Sequence, residues 1–221
     1  MLKKAKVSAS ILAINYNDRV ELERNIKLMN LSKPNFIHLD VMDGKFVKNS
    51  TFDHKLVKTV QSMTNIPLDV HLMINNPENF IEDYFIDGVS MISFHYEATS
   101  NPEPLLNKIK ANGIKAGITI NPDTDVFKIK DIIENNICDY VLVMSVNPGA
   151  YGQKYIDGTE EKVKIIKNMN KKMTVSVDGG VNPSNAKMLR KYGADILVSA
   201  GAIFNSNNPK TTIKKLSGRL F

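Results

Sequence analysis

The sequence has almost no cysteine, no long apolar run and no low-complexity segment, and each shortage excludes a class of protein. Its single cysteine, Cys138, rules out an internal disulfide and is too little for a cysteine-based metal site. We expect it to pack as a small residue near the start of a strand. The longest apolar runs have the length of a β-strand, far short of a membrane span. These shortages favour a globular protein of a reducing compartment.

The positive charge of the chain is spread widely. Lys and Arg total 29 against 23 Asp and Glu, which gives a net charge of +6. Such a charge could attract a phosphorylated substrate, an acidic partner or nucleic acid. The basic residues are scattered over every predicted helix and are not gathered on one face with aromatic residues, so they indicate a solvated surface. We therefore predict neither a nucleic-acid partner nor a membrane partner.

One repeated pattern organises the chain. Short runs rich in β-branched residues recur as KVSASIL, NFIHLDV, PLDVHLM, SMISFH, IKAGITI, DYVLVMS, MTVSVD and DILVSA. Between them lie stretches with helical spacing, such as Leu22, Ile26 and Met29. About eight strand–helix units predict an α/β fold, a single-domain (β/α)8 TIM barrel over residues 1–221. An open doubly wound sheet is the alternative, but the glycine-rich dinucleotide loop expected after an early strand is not in the sequence.

Polar residues without an obvious packing role fall at the predicted strand ends. In a (β/α)8 barrel the chemistry lies at the C-terminal ends of the strands, where the loops converge on one mouth. The polar residues at these ends are Ser10, His38, Asp40, His71, His95, Asn121, Ser145, Asp178 and Ser199. The remaining histidine, His54, is expected at a loop or helix start on the surface.

Four of these residues have the chemistry of a metal site. His38 and Asp40 are two residues apart in one strand, so they point to the same face, into the barrel. His71 closes the third predicted strand and Asp178 closes the seventh. Two imidazoles and two carboxylates suit a divalent transition metal such as zinc, iron, manganese or cobalt. A single histidine at a strand end is more often a core residue that is hydrogen-bonded to a backbone carbonyl. Four polar residues of this kind at strand ends favour a metal site instead.

Longer motifs resemble a known family. The segments HLDVMDGKFVKN, LDVHLM, MSVNPGAYGQ and SVDGGVN closely resemble the signature segments of the ribulose-phosphate 3-epimerase family. The resemblance extends from SASILA near the N-terminus to SAGAIF near the end, so it covers nearly the whole chain. It implies a metal-dependent (β/α)8 barrel that interconverts D-ribulose 5-phosphate and D-xylulose 5-phosphate.

The resemblance also implies a role for each residue at the mouth. Inverting a carbon beside a ketone requires two acid/base groups, by similarity Asp40 and Asp178, whose titrations we expect to be coupled. One metal ion per chain, zinc in the first place, would be held by His38, Asp40, His71 and Asp178. The implied substrate-binding residues are Ser10, His71, Gly149, Ala150, Tyr151, Gly152, Asp178, Gly179, Gly180, Ala200 and Gly201. The implied pocket-lining residues are Met42, Met73 and Met144, although any one of them fits a flexible core residue equally well.

The sequence departs from the family pattern around the loops that would bind phosphate. Ala150 and Tyr151 replace the Phe-Gly pair of the usual PGFGGQ, and Ala200-Gly201 replaces the usual Gly-Ser. These changes bear on which sugar phosphate is used more than on the type of reaction. The alternatives are a 3-epimerase of another ketose phosphate, such as D-allulose 6-phosphate, and a non-catalytic sugar-phosphate-binding barrel. A decarboxylase or synthase of the D-x-K-x-x-D type fits less well, because the D-x-K at Asp53 lacks the final carboxylate.

The family resemblance carries two further expectations. It implies a homo-oligomer, either a dimer or a hexamer. It also implies a cytoplasmic protein of the pentose-phosphate pathway, with a plastid as the lesser possibility.

Overall fold

Eight parallel strands close into a barrel in the computed structural model, which describes residues 2–219. Each strand pairs with its neighbours in sequence, and the last strand pairs with the first. The strands are β1 (Lys6–Ser10), β2 (Phe36–Met42), β3 (Leu68–Met73), β4 (Val89–His95), β5 (Lys115–Ile120), β6 (Tyr140–Met144), β7 (Thr174–Asp178) and β8 (Ile196–Ser199). The predicted (β/α)8 class is confirmed, while residues 1, 220 and 221 of the predicted domain lie outside the described range.

The central strands are buried on both faces. All seven residues of β2 and all six of β3 are buried, because one face meets the outer layer and the other fills the barrel. Inside the barrel, a Cβ atom on Gly117 would lie only 2.2 Å from Cζ of Tyr140. The glycine therefore makes room for the aromatic ring that fills this level of the interior.

Eight α-helices surround the strands among residues 2–219. They are α1 (Arg19–Ser32), α2 (His54–Gln61), α3 (Pro102–Ala111), α4 (Lys130–Glu134), α5 (Thr159–Met169), α6 (Ala186–Tyr192), α7 (Gly201–Phe204) and α8 (Pro209–Ser217). The predicted apolar positions Leu22, Ile26 and Met29 are buried on α1. None of the helices in this described range is long and apolar enough to cross a bilayer.

The D-x-K segment is the start of a helix. The carboxylate of Asp53 accepts hydrogen bonds from the backbone N–H groups of Lys55 and Leu56, both at 3.0 Å, and so caps α2. His54 is the first residue of that helix and is half-buried. The carboxylate therefore has a structural role that accounts for its position.

The predicted alternation of strands and helices is wrong at one connection. Between β3 and β4, the fully described residues 74–88 form two short 3₁₀ helices, Pro77–Asn79 and Ile81–Tyr84, instead of an α-helix. Asn76 adopts a left-handed φ of 50° directly before Pro77, which turns the chain sharply at this point. The two short turns bury Pro77, Ile81 and Tyr84, too few residues for a full amphipathic face.

Cys138 lies where the sequence predicts it. Its side chain is buried two residues before β6, and its Sγ atom is 3.9 Å from Sδ of Met173. Burial raises the pKa of the Cys138 thiol to about 12, so this cysteine is an unreactive packing residue.

Candidate active site

The four predicted metal ligands meet at the C-terminal end of the barrel. One donor atom from each of His38, Asp40, His71 and Asp178 lies within 4.8 Å of the others. Nε2 of His38 is 3.2 Å from Oδ1 of Asp40 and 3.7 Å from Oδ2 of Asp178. Nδ1 of His71 is 3.2 Å and 3.8 Å from the same two oxygens. The register of β2 against β3 pairs Asp40 with His71, which brings these donors from neighbouring strands together.

The outer nitrogen of each imidazole faces a buried acceptor or imidazole. Nδ1 of His38 is 2.9 Å from Oδ2 of Asp69, and this oxygen also accepts a 2.8 Å hydrogen bond from the Ser8 hydroxyl. Nε2 of His71 is 2.9 Å from Nε2 of His95. Histidine ligands of metals typically have such partners on the nitrogen that does not bind the ion.

The donor set fits a divalent transition metal. Nε2 of His38 is buried and lacks a hydrogen-bond partner among the described residues, although it faces two carboxylates. Two imidazole nitrogens and two carboxylate oxygens are a donor combination that zinc, iron, manganese and cobalt accept. The cluster is therefore a candidate metal site, as the sequence predicts.

The environment displaces the pKa values of the two carboxyl groups in opposite directions. Burial, assisted by the charge of Asp40, raises the pKa of Asp178 to about 7. Burial acts in the same sense on Asp40, but the positive charge of His38 and the polar contacts with both histidines hold the pKa of Asp40 well below its usual range. The Ser10 hydroxyl also donates a 2.7 Å hydrogen bond to Oδ2 of Asp40. Near neutral pH one carboxyl group is thus ionised while the other can hold a proton.

The pKa values of the two imidazoles, His71 and His38, are also displaced in opposite directions. Burial lowers the pKa of His71, so this imidazole is neutral at physiological pH. Burial also disfavours the charged form of His38, but the carboxylates of Asp40 and Asp69 outweigh it and raise the pKa of His38 well above its usual value. A metal ion entering the cluster must therefore displace a proton from His38.

A cavity of about 240 Å³ adjoins the cluster and has Asp40 and Asp178 in its wall. All predicted substrate-binding residues except His71 line it: Ser10, Gly149, Ala150, Tyr151, Gly152, Asp178, Gly179, Gly180, Ala200 and Gly201. Met42, Met73 and Met144 line it too, with almost fully buried side chains. His71 is completely buried and meets the cluster instead. The predicted residues therefore surround one cavity, while their individual roles stay predictions.

Glycine permits the loops after β6 and β7 to touch through their backbones. Gly179 has a φ of +117°, and a Cβ atom there would lie 2.9 Å from the backbone nitrogen of Val146. Gly180 has a φ of +60°, and its Cβ atom would lie 2.5 Å from the backbone nitrogen of Tyr155. A larger residue at either position would push apart the two loops that form this wall.

Two of the strand-end serines hold loops in place. The Ser145 hydroxyl lies 2.8 Å from the carbonyl oxygen of Asp178 and 2.6 Å from that of Gly179, and it donates to this pair. The Ser199 hydroxyl donates to the carbonyl oxygen of Val181 at 2.7 Å. Both serines therefore fix the segment that follows β7.

Sequence reasoning missed two acidic residues of the site. Asp69 supports His38 from the neighbouring strand, and Glu97 lies 3.4 Å from Nδ1 of His95 through its Oε2 atom. Asp69 stands two residues before His71, so strand alternation alone places both side chains on the same face. Applying that rule to LDVHLM would have found it.

Together, the closed barrel and the His–Asp cluster at its mouth define a (β/α)8-barrel protein with a candidate transition-metal centre. The sequence model of the Ribulose-phosphate 3 epimerase family matches residues 6–204. The chain is 37% identical over 218 residues to ribulose-phosphate 3-epimerase of Bacillus subtilis, across 96% of this chain and 98% of that protein. It is also 37% identical over 214 residues to the chloroplastic ribulose-5-phosphate-3-epimerase of Arabidopsis thaliana, across 94% of this chain and 74% of that one. The chain belongs to the ribulose-phosphate 3-epimerase family, which confirms the resemblance.

Solved structures give the same fold at lower identity. A tryptophan synthase alpha-subunit from Pyrococcus furiosus superposes with a TM-score of 0.70 at 19% identity, covering 99% of this chain and all of that one. A 3-hexulose-6-phosphate synthase superposes with a TM-score of 0.67 at 15% identity, covering 99% of this chain and 100% of that chain. At such identities the likeness is evidence for the barrel alone.

Proposed function

We propose that this chain interconverts D-ribulose 5-phosphate and D-xylulose 5-phosphate by inverting the configuration at C3. The observation that carries the proposal is the pair Asp40 and Asp178, which meet at the mouth with pKa values displaced in opposite directions. Two neighbouring carboxyl groups separated in this way typically divide the roles of acid and base. Membership of a family whose members are named ribulose-phosphate 3-epimerases supports the choice of substrate.

The two carboxyl groups perform the proton transfers in this proposal. The ionised carboxylate of Asp40 removes the C3 proton, which the neighbouring carbonyl acidifies, and the bonding electrons form an enediolate. The protonated carboxyl group of Asp178 then donates its proton to the opposite face of C3. The product is the epimer, and the two groups have exchanged protonation states, so the reverse reaction uses them in the opposite roles.

We propose that His38, Asp40, His71 and Asp178 hold one divalent transition-metal ion, with zinc as the first candidate. The buried, unpartnered Nε2 of His38 and the convergence of the four donor atoms support this assignment. When bound, the ion would supply Lewis-acid stabilisation of the negative charge that develops on the substrate oxygens.

The rest of the cavity wall would bind and shield the sugar phosphate. The buried methionines Met42, Met73 and Met144 present apolar surface that excludes water from the reacting carbon. The glycine-containing loops after β6, β7 and β8 are the proposed phosphate site, since backbone N–H groups can approach an anion closely there. Ser10, whose hydroxyl already contacts Asp40, would meet the substrate beside the reacting carbon.

The test is hydrogen exchange at C3 in deuterated water. We expect deuterium to enter C3 of D-ribulose 5-phosphate together with formation of D-xylulose 5-phosphate, and metal analysis to find about one transition-metal ion per chain. An Asp40→Asn variant is the matched control for the proton transfer. If D-allulose 6-phosphate exchanges and D-ribulose 5-phosphate does not, the substrate assignment is wrong. If neither sugar exchanges in metal-loaded protein, the chain is a binding protein instead.

A 3-epimerase of another ketose phosphate is the second candidate. The observation that favours it is Tyr151, whose ring lies across Gly201 so closely that a Cβ atom there would be 3.0 Å from Cε2 of the ring. This aromatic side chain lines the part of the cavity where the substrate phosphate is expected. The predicted homo-oligomer and the cytoplasmic location stay predictions.

A further inference from the structure

His95 is a buried imidazole that lies against a proposed metal ligand without joining the cluster. It ends β4 and is completely buried, and its ring stacks on that of His71 with centroids 5.0 Å apart and planes inclined by 26°. The two Nε2 atoms are 2.9 Å apart, which is a hydrogen-bond distance. The ring of Phe46 packs on His95 with a centroid distance of 4.7 Å. His95 therefore contacts His71 in a place shielded from water.

This contact restricts where the proton of each neutral ring can be. Two facing ring nitrogens bond only if one carries hydrogen and the other presents a lone pair. His71 can bind a metal through Nδ1 only if its proton is on Nε2. Nε2 of His95 must then accept that hydrogen bond, so the proton of His95 must be on Nδ1.

Glu97 is placed to receive the Nδ1 proton of His95. Its Oε2 atom is 3.4 Å from Nδ1 of His95, and this buried nitrogen makes no hydrogen bond to any of residues 2–219. Its other oxygen, Oε1, accepts a 2.9 Å hydrogen bond from the backbone N–H of Asn121 and another from the Thr124 hydroxyl. Two donors thus fix one carboxylate oxygen and leave the other for the imidazole.

The loop that supplies those donors is itself anchored. The Lys162 ammonium, on α5, donates to the carbonyl oxygens of Asn121, Pro122 and Thr124 at 3.0, 2.5 and 2.6 Å. A chain of contacts therefore leads from an outer helix through Glu97 and His95 to His71. His38 has a shorter equivalent, because its outer nitrogen reaches the carboxylate of Asp69 directly.

Asp40 is the competitor for the proton of His71. Its Oδ1 atom is 3.2 Å from Nδ1 of His71 and would attract a proton to that nitrogen. The same oxygen is also 3.2 Å from Nε2 of His38, so the charge of a protonated His38 can offset that of the carboxylate. If the proton of His71 were on Nδ1, its Nε2 atom would accept from Nε2–H of His95. Nδ1 of His95 would then carry a lone pair facing the Glu97 carboxylate, and that arrangement is repulsive.

We propose that His95 and Glu97 are positioning residues that hold the proton of His71 on Nε2, so that the lone pair of Nδ1 points into the Asp40–Asp178 cluster. The link to metal binding rests on the proposed function. The position of the proton can be measured without any metal.

Glu97→Gln is the informative variant because it should reverse the whole chain of hydrogen bonds. The amide oxygen stays with the two donors from Asn121 and Thr124, so the NH₂ group faces His95. Nδ1 of His95 must then accept, its proton moves to Nε2, and His71 becomes protonated on Nδ1. Glu103→Gln makes the same chemical change on the exposed surface of α3 and is the matched control.

Two-bond ¹H–¹⁵N correlation spectra of histidine in metal-free protein distinguish these tautomers. We expect Nε2–H on His71 and Nδ1–H on His95 in the wild type and in Glu103→Gln, and the reverse in Glu97→Gln. Wild-type protein with the proton of His95 on Nε2 would overturn the proposal, and this measurement does not depend on any variant folding. Folded Glu97→Gln with unchanged tautomers would overturn it as well.

Zinc affinity provides the second measurement, by competition with a chelator. We expect Glu97→Gln to raise the dissociation constant for zinc by about 10- to 100-fold, the usual effect of removing such a partner, and Glu103→Gln to leave it unchanged. An unchanged constant in Glu97→Gln would contradict the positioning role. A wild type that binds no zinc would instead refute the proposed metal site, and the tautomers would still decide the roles of His95 and Glu97.

Discussion

The Asp178→Asn substitution should have opposite effects on activity and on the stability of the metal-free fold. Asn has nearly the same shape but cannot ionise, so it cannot donate or accept the proton at C3. General acid–base groups typically contribute about 10²- to 10⁴-fold to rate, and we expect turnover to fall by at least about that much. Asp157→Asn, at an exposed position in the loop before α5, should keep full activity.

The stability effect follows from the raised pKa of Asp178. Burial and the charge of Asp40 move this pKa from 3.8 to about 7 in the fold. Between these values the unfolded chain has released a proton that the folded chain still holds, so the wild type loses stability as the pH rises from about 4 to about 7. At about 1.4 kcal/mol per pKa unit, the ionised group costs the metal-free fold about 4 kcal/mol above pH 7. The side chain is only 15% exposed, so water screens little of this cost.

Urea unfolding of both metal-free proteins at pH 5 and pH 8 measures this difference. Asp178→Asn should be more stable than the wild type at pH 8 by up to about 4 kcal/mol, and by clearly less at pH 5. Zinc should reverse this order of stability, since the variant lacks one of the proposed charged ligands. Equal differences at the two pH values would refute the electrostatic reasoning, and undiminished turnover would refute the acid/base role.

Three further predictions concern the supporting structure. Gly180→Ala places a Cβ atom 2.5 Å from the backbone nitrogen of Tyr155 at a φ of +60°. We expect the free energy of unfolding in urea to fall by at least about 1–2 kcal/mol and the KM for the sugar phosphate to rise. An unchanged KM would show that this loop does not take part in substrate binding. The carboxylate of Asp195 accepts a 2.5 Å hydrogen bond from Lys167, and this contact, against the effect of burial, lowers its pKa. Asp195→Asn should therefore destabilise the fold at neutral pH by about 1–3 kcal/mol, with a difference that shrinks as the pH falls below about 4; a difference independent of pH would contradict it. Dialysis against a strong chelator should abolish epimerisation and zinc should restore it, whereas full activity in verifiably metal-free protein would exclude the proposed metal role.

The sequence was sufficient to predict the barrel and the cluster at its mouth, because both depend on short repeats. The two-residue spacing of His38 and Asp40 places both side chains on the same face of the strand. His71 and Asp178 lie at strand ends, which in a barrel of this type are at the mouth. Strand alternation also places Asp69 on the same face as His71, but it does not say which residue Asp69 contacts. Asp69 meets His38 because the register of β2 against β3 pairs those two residues, and the spacing within each strand does not encode the register between strands.

The exception at the β3–β4 connection has a local cause. The predicted repeat of about eight strand–helix units implies a helix between β3 and β4 through repetition alone. A left-handed residue before Pro77, followed by few apolar positions, favours two tight turns instead. Repetition of a pattern predicts the architecture well and individual connections less well.

The two-sided burial of β2 has a consequence for the chain before it folds. FIHLDVM would be a continuous apolar segment with strong β propensity if His38 and Asp40 were apolar, and such segments pair readily between molecules. Barrel closure joins β1 to β8 from opposite ends of the chain, so the interior face of β2 stays uncovered until distant strands arrive. We therefore expect His38 and Asp40 to protect this segment from aggregation as well, and replacing both with leucine should yield a protein that precipitates during synthesis.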